Sequence, residues 1–206
     1  MTENIVFPSE VDYQYLLNYF SRYRHPRREI LKLTRRGVLL RVKKGLYVAR
    51  KGFAKEPYSR EVVANLIYGP SYISLEYALS WYGLIPERVE NISNMTTKRS
   101  KVFKTPIGEF AYRSLPVSKY ALGIGRVTID ANRSALMATP EKALADLLAR
   151  TEILTSMKEF EEHLFENLRI SEEEFLKFRS TRLQEIARVY EHPNVSRLAN
   201  WIKKHT

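Results

Sequence analysis

Cysteine is absent from this 206-residue chain. That single absence excludes disulfides, thiolate zinc sites and cysteine nucleophiles. Aspartate is nearly absent as well: Asp12, Asp130 and Asp146 are the only three, and they lie far apart. A metal-dependent nuclease or nucleotidyltransferase needs several carboxylates converging on magnesium. The four histidines, His25, His163, His192 and His205, show no metal-ligand spacing. Neither a P-loop nor a GxSxG occurs, and Gly123-Ile124-Gly125 is a lone GxG that reads as a turn. No catalytic residue, metal or cofactor is expected, and the chain is read as a non-enzyme. No apolar run reaches the roughly 18 residues that span a bilayer. The opening MTENIVFPSE also lacks the basic start and apolar stretch of a signal peptide. The expectation is a cytoplasmic protein with no membrane partner.

What the chain does have is positive charge, and it is concentrated. The net charge is +11. Between Phe20 and Lys55 there are 13 Lys or Arg against one acid, Glu29, while the rest carries 21 Lys or Arg against 22 acids. A basic excess confined to one stretch is the electrostatic footprint of a polyanion binder. Between Thr151 and Phe175 the sign reverses, with eight Glu against Lys158 and Arg169. Such a segment is repelled by DNA and should face solvent or a basic partner.

Hydrophobic spacing predicts a helix over residues 9–23, with Ser9 as N-cap. A second is expected from Pro26, a residue suited to a first helical turn, to a stop at Gly37. VLLRV and GLYVA then flank Lys43-Lys44-Gly45 as a hairpin. Residues 52–57 read as a linker. Helices follow over 59–68 and 74–82, then short β-prone pieces from residue 90 to 138: ENISNMTT, KVFKT, EFAYRSL, GRVTID and ALMA. Thr139-Pro140-Glu141 opens a helix, and residues 140 to 204 are expected to be largely helical, with Ser171 and Glu174 as a capping box.

Helix, helix, hairpin is the order that ends a winged helix-turn-helix. In the helix from Pro26, residues advance about 100° each. Arg28, Lys32 and Arg35 therefore share one stripe, joined by Arg24 if the helix begins earlier, while Ile30, Leu33 and Gly37 face the other way. A groove-inserted helix needs that division, because its long side chains reach the duplex while its back face packs. Arg28 and Arg35 are the choices for reading bases, since arginine bridges guanine bidentately. Arg41, Lys43 and Lys44 on the hairpin are assigned to phosphate, with Arg22, Arg27 and Arg36 as flanking contacts. Such domains usually carry two helices before the recognition helix, and here there is room for one. Either the first is missing or later parts of the chain supply its packing. Winged helices also dock proteins, and some bind RNA.

Three further segments carry a family resemblance. GPSYISLEYALSWYGLIPE (Gly69 to Glu87), TTKR (Thr96 to Arg99) and ATPEKALADLL (Ala138 to Leu148) resemble the AbiEi family. Its members are antitoxins and transcriptional regulators of type IV toxin–antitoxin systems, first associated with abortive infection by phage. GLYV at Gly45 to Val48 resembles the end of that family's winged helix. The short N-terminal region, Tyr77 and Trp81 depart from its pattern. The resemblance implies a repressor that binds double-stranded operator DNA of its own operon. It also implies a functional partner, a nucleotidyltransferase toxin, counteracted by the C-terminal part with or without a stable complex.

The expected fold is thus α+β. A winged helix-turn-helix, complete or truncated, occupies residues 1–52, and an antitoxin-like α+β domain with C-terminal helices occupies 58–206. Most residues of the resembling segments read as core or caps. Thr97, Lys98, Arg99 and Lys101 stand out as a second basic surface on an exposed hairpin, open to DNA, RNA or an acidic protein. Two other readings remain at this point. One is an inhibitory protein-binding module whose basic face grips an acidic partner; the other is a nucleic-acid enzyme using Asp130, Glu141 and Asp146.

Overall fold

In the computed structural model, which describes residues 6–205, a strand stands where the first helix was expected to begin. This strand, β1 (Glu10–Asp12), runs into helix α1 (Tyr13–Tyr19). The cause is local. Asp12 is extended, and its carboxylate accepts the Tyr15 backbone N–H at 2.6 Å, so the helix is capped there. Ser9 is instead buried, its hydroxyl donating to the Glu56 carbonyl at 2.7 Å.

Helix α2 (Pro26–Arg35) starts and stops where its sequence places it. At its end the Val38 N–H reaches the Leu33 carbonyl at 2.9 Å, and the Gly37 N–H reaches Thr34 at 3.1 Å. Gly37 takes a φ of 70°, the left-handed residue such a closure requires. Strands β2 (Leu39–Lys43) and β3 (Leu46–Ala49) then form the expected hairpin, and β1 adds to it in the order β1-β3-β2.

That small sheet has two working faces, as the strand period of two allows. Leu39, Tyr47 and Ala49 join Leu16, Ile30 and Leu33 in an apolar cluster beneath α1 and α2. Val42, Leu46 and Val48 belong to the larger core on the other side.

The larger core is built on a six-stranded mixed sheet. Its strands, flanked by helices, follow as α3 (Arg60–Ile67), β4 (Ser71–Ile73), α4 (Leu75–Trp81), β5 (Ile92–Thr96), β6 (Lys101–Thr105) and β7 (Gly108–Ser114), then α5 (Val117–Tyr120), β8 (Ile124–Thr128) and β9 (Ser134–Ala138). The spatial order is β6-β7-β5-β4-β9-β8, with β4–β9 and β5–β7 parallel. Helix α6 (Pro140–Leu148) opens at Thr139, whose hydroxyl caps Lys142.

The C-terminal part is more broken than its sequence suggests. After α7 (Met157–Glu161) comes a π-helical turn over 162–167, then α8 (Glu172–Leu176), α9 (Ser180–Tyr190) and α10 (Pro193–His205). The capping box sits elsewhere than expected. Ser171 makes no side-chain cap, and Glu174 pairs with Lys177 at 2.5 Å. The reciprocal bonds form between Ser156 and Glu159. The fold is α+β, and among the described residues no helix is long and apolar enough to cross a membrane.

Candidate nucleic-acid interface

Helix α2 is divided lengthwise by its own sequence. Ile30 and Leu33 are buried beneath it, whereas Arg27, Arg28, Lys32, Arg35 and Arg36 are exposed. Arg28, Lys32 and Arg35 fall within about 60° around the axis at 100° per residue. Lys32 is partly neutralised by Glu29 on the same helix, at 2.8 Å. Among the described residues, none of the other arginines in this group has an ion pair, and no acid of the 151–175 segment reaches them.

Arg24 is not on the helix. It lies in the irregular turn that precedes α2, so the stripe does not extend a turn backwards. With Leu17, His25, Pro26, Arg27 and Arg28 it lines a hollow of about 560 Å³ at the N-terminal end of α2. His25 provides no side-chain cap there. Three guanidinium-bearing residues around a helix N-terminus suit a phosphate, because the helix dipole and free N–H groups favour an anion.

On the hairpin the three basic residues separate. Arg41 is exposed and pairs across the sheet with Tyr47, on the face that carries α1 and α2. Lys44 is exposed in the turn. Lys43 faces away from Arg41. The register shifts between Arg41 and Lys43, and Lys43 lies opposite Leu46 on the face toward the larger core. It is half-buried, and its ammonium donates to the Ile67 carbonyl at the end of α3. Burial, and then the nearness of Lys98 and Lys101, holds its pKa below the ordinary lysine value.

The second basic segment was expected on a hairpin; Lys101 begins the strand β6 of the β6–β7 hairpin, but Thr97, Lys98 and Arg99 lie before it in the connection from β5. β7 lies between β5 and β6, so residues 97–100 cross over to reach the edge strand. Thr97 is half-buried; Lys98, Arg99 and Lys101 are exposed. Lys98 donates to the Gly69 carbonyl at 2.5 Å, with its ammonium 5.2 Å from the centre of the Tyr68 ring. Lys101 lies 4.8 Å from the centre of Phe103. Lys43 and Lys98, 55 positions apart in sequence, thus meet at the C-terminal end of α3. No local pattern could have announced that meeting.

One buried ion pair was missed by the sequence reading, although it had weighed Asp146 alone. Lys142 and Asp146, both enclosed, sit one turn apart on α6, 3.5 Å from each other. Asp146 accepts from the hydroxyls of Ser74 at 2.7 Å, Tyr72 at 2.9 Å and Tyr190. Lys142 donates to the Lys119 carbonyl at 2.6 Å and to Tyr190. The i, i+4 spacing inside an apolar helix was the available signal. Asp130 pairs instead with Arg133, and Glu141 accepts the Arg179 N–H at 3.1 Å. The three acids weighed for catalysis are therefore tied to separate partners. Among the described residues no cluster of three His, Asp or Glu is placed to hold a metal ion.

Comparison of the sequence with models of known protein families gives no match, and comparison with curated proteins gives none either.

Proposed function

We propose that this chain is a DNA-binding regulator whose α2 enters the major groove. The observation that carries the reading is the division of α2, an uncompensated arginine face backed by Ile30 and Leu33. Strand, helix, helix, hairpin, in the sheet order β1-β3-β2, supports reading this part of the chain as a winged helix-turn-helix. The larger core covers the open face of that sheet and takes the place of the packing an additional leading helix would give. Arg28 and Arg35 read bases; Arg24, Arg27, Arg36, Arg41 and Lys44 hold phosphates.

We further propose that it acts as an AbiEi-like antitoxin and autorepressor of a type IV toxin–antitoxin operon, opposing a nucleotidyltransferase toxin. The support is the series of resembling segments, which are neighbours in space. β4 pairs with β5 and β9, and Tyr72 and Ser74 of one segment bond Asp146 of another.

The test is binding to the chain's own promoter and to scrambled duplex over a range of salt. About five phosphate contacts from α2 and the hairpin give a log–log slope of about −4 to −5 or steeper. Arg28→Ala/Arg35→Ala should reduce promoter preference by at least tenfold, at roughly 1–3 kcal/mol per lost base contact. A flat salt dependence, or equal binding to both duplexes, removes the repressor reading. Failure of co-expression to relieve a nucleotidyltransferase encoded beside it removes the antitoxin reading.

A further inference from the structure

We infer that the hairpin turn and the β5–β6 connection form one phosphate-binding surface, in which Lys43, Lys44, Lys98, Arg99 and Lys101 hold the backbone of the duplex that α2 reads. The inference rests on the DNA-binding reading and extends it into the larger α/β part of the chain.

Two observations carry it. The first is that these cations are gathered without acids. Among the described residues none of the five has an ion pair, whereas Arg60 at the other end of α3 pairs with Glu90, and Arg133 with Glu10 and Asp130. Capping of α3 accounts for only part of the set. The carbonyls of Ile67 and Gly69 receive Lys43 and Lys98, and that of Pro70 receives the Thr96 hydroxyl at 2.7 Å. A helix C-terminus carries about half a negative charge, so the two lysines already exceed it. Arg99, Lys101 and Lys44 remain uncompensated, and like charges held together repel until an anion arrives.

The second observation is preorganisation. An ammonium has three donors. Lys43 and Lys98 each spend one on a backbone carbonyl, which fixes the side chain and leaves two N–H groups without an acceptor among the described residues. Fixing a long side chain beforehand removes an entropy cost that binding would otherwise bear. The partner follows from continuity. Lys44 adjoins Lys43 in the hairpin turn, so the charge runs from Arg41 on the α2 side, around the tip, to the β5–β6 connection. A duplex lying on α2 and the hairpin tip presents the next phosphates of the same strand to these lysines. Contacts of this kind fix position and carry no sequence information.

The test uses the full chain with promoter duplex and scrambled duplex at several salt concentrations. Lys98→Ala/Arg99→Ala/Lys101→Ala should weaken binding to both duplexes by the same factor, ten- to a hundredfold at 0.1 M salt. Its log–log slope should be shallower by about two to three, at roughly 0.9 per phosphate contact. The ratio between the duplexes should stay that of the unaltered protein. Because Lys98 also caps Gly69, Arg99→Glu provides a second probe, since Arg99 is exposed and has no hydrogen-bond or ion-pair partner among the described residues. It should cost about tenfold on both duplexes. An unchanged slope in the triple variant together with unchanged affinity in Arg99→Glu overturns the inference and leaves the α2 reading standing. A protein that binds neither duplex before any substitution overturns both.

Discussion

Lys142 and Asp146 occupy positions in which an isolated charge would not survive. Burial acts against the charged form of each, raising the Asp146 pKa and lowering that of Lys142, while the two groups and the surrounding hydroxyls oppose that trend. The packing around them is close: a Cβ on Gly123 would lie 2.9 Å from the Lys142 Cβ, so the loop before β8 needs glycine there. Removing one partner of such a pair leaves the other buried and unmatched, which typically costs about 3–5 kcal/mol. Lys142→Met and Asp146→Leu should each fall in that range by urea unfolding. The double variant should lose less than the two single losses combined, because it strands no charge. Strictly additive losses would show that the pair is not energetically coupled. The exposed arginines of α2 present the opposite case, since among the described residues none of them has an ion pair.

At the scale of elements, α2 is the unit in which local sequence and final structure agree most fully. Pro26 starts it, the 3.6-residue period divides it, and Gly37 ends it. A Cβ at Gly37 would meet the Arg50 guanidinium at an ordinary 3.6 Å, so the space is there and the backbone is the obstacle. At its φ of 70° an alanine costs about 1–2 kcal/mol. Gly37→Ala should therefore lower the unfolding midpoint while leaving operator affinity unchanged at temperatures where the protein stays folded. A wild-type midpoint would mean the closure of α2 adds nothing to stability. The strands from residue 92 to 138 were legible for the same reason, since alternation and turn residues are local. What escaped the sequence depends on distant partners. Glu10–Asp12 becomes a strand because β3 lies beside it, and Ser9 is drawn away by Glu56. Ser171 loses its capping role where Lys177 engages Glu174. The basic 97–100 segment becomes a crossover because β7, later in the chain, inserts between β5 and β6. For the site, the α2 stripe was readable, whereas the face of the hairpin that Lys43 occupies was not, because it is set by a register shift.

Across the whole molecule, the layer formed by α1, α2 and the three-stranded sheet is held to the larger sheet by more than the shared apolar strands. Glu10 of β1 accepts the Ser59 N–H at 2.7 Å, at the start of α3, and the Arg133 guanidinium at 2.8 Å, between β8 and β9. Arg133 is held in turn by Asp130, through its Nε at 2.7 Å. The Glu10 side chain is only 7% exposed and that of Arg133 18%, so the pair is poorly screened by solvent. Geometry of this kind fixes one layer against the other. If the wing and the β5–β6 connection share a duplex, their spacing must be set before DNA arrives, and this latch is one of the polar ties that set it, beside the Lys43 bond to the Ile67 carbonyl. Arg133→Ala leaves the Glu10 carboxylate with a single donor and should cost about 2–3 kcal/mol, below the range for a fully buried pair. The loss should be local. Hydrogen exchange should speed up in β1 and in residues 50–59, while α6, α9 and α10, which pack on the far part of the core, keep their protection. Operator affinity should fall although no DNA-facing side chain has changed. Unaltered exchange in β1, or a uniform loss of protection over the entire chain, would show that the apolar sheet alone fixes the two layers and that the Glu10–Arg133 pair is incidental to their alignment.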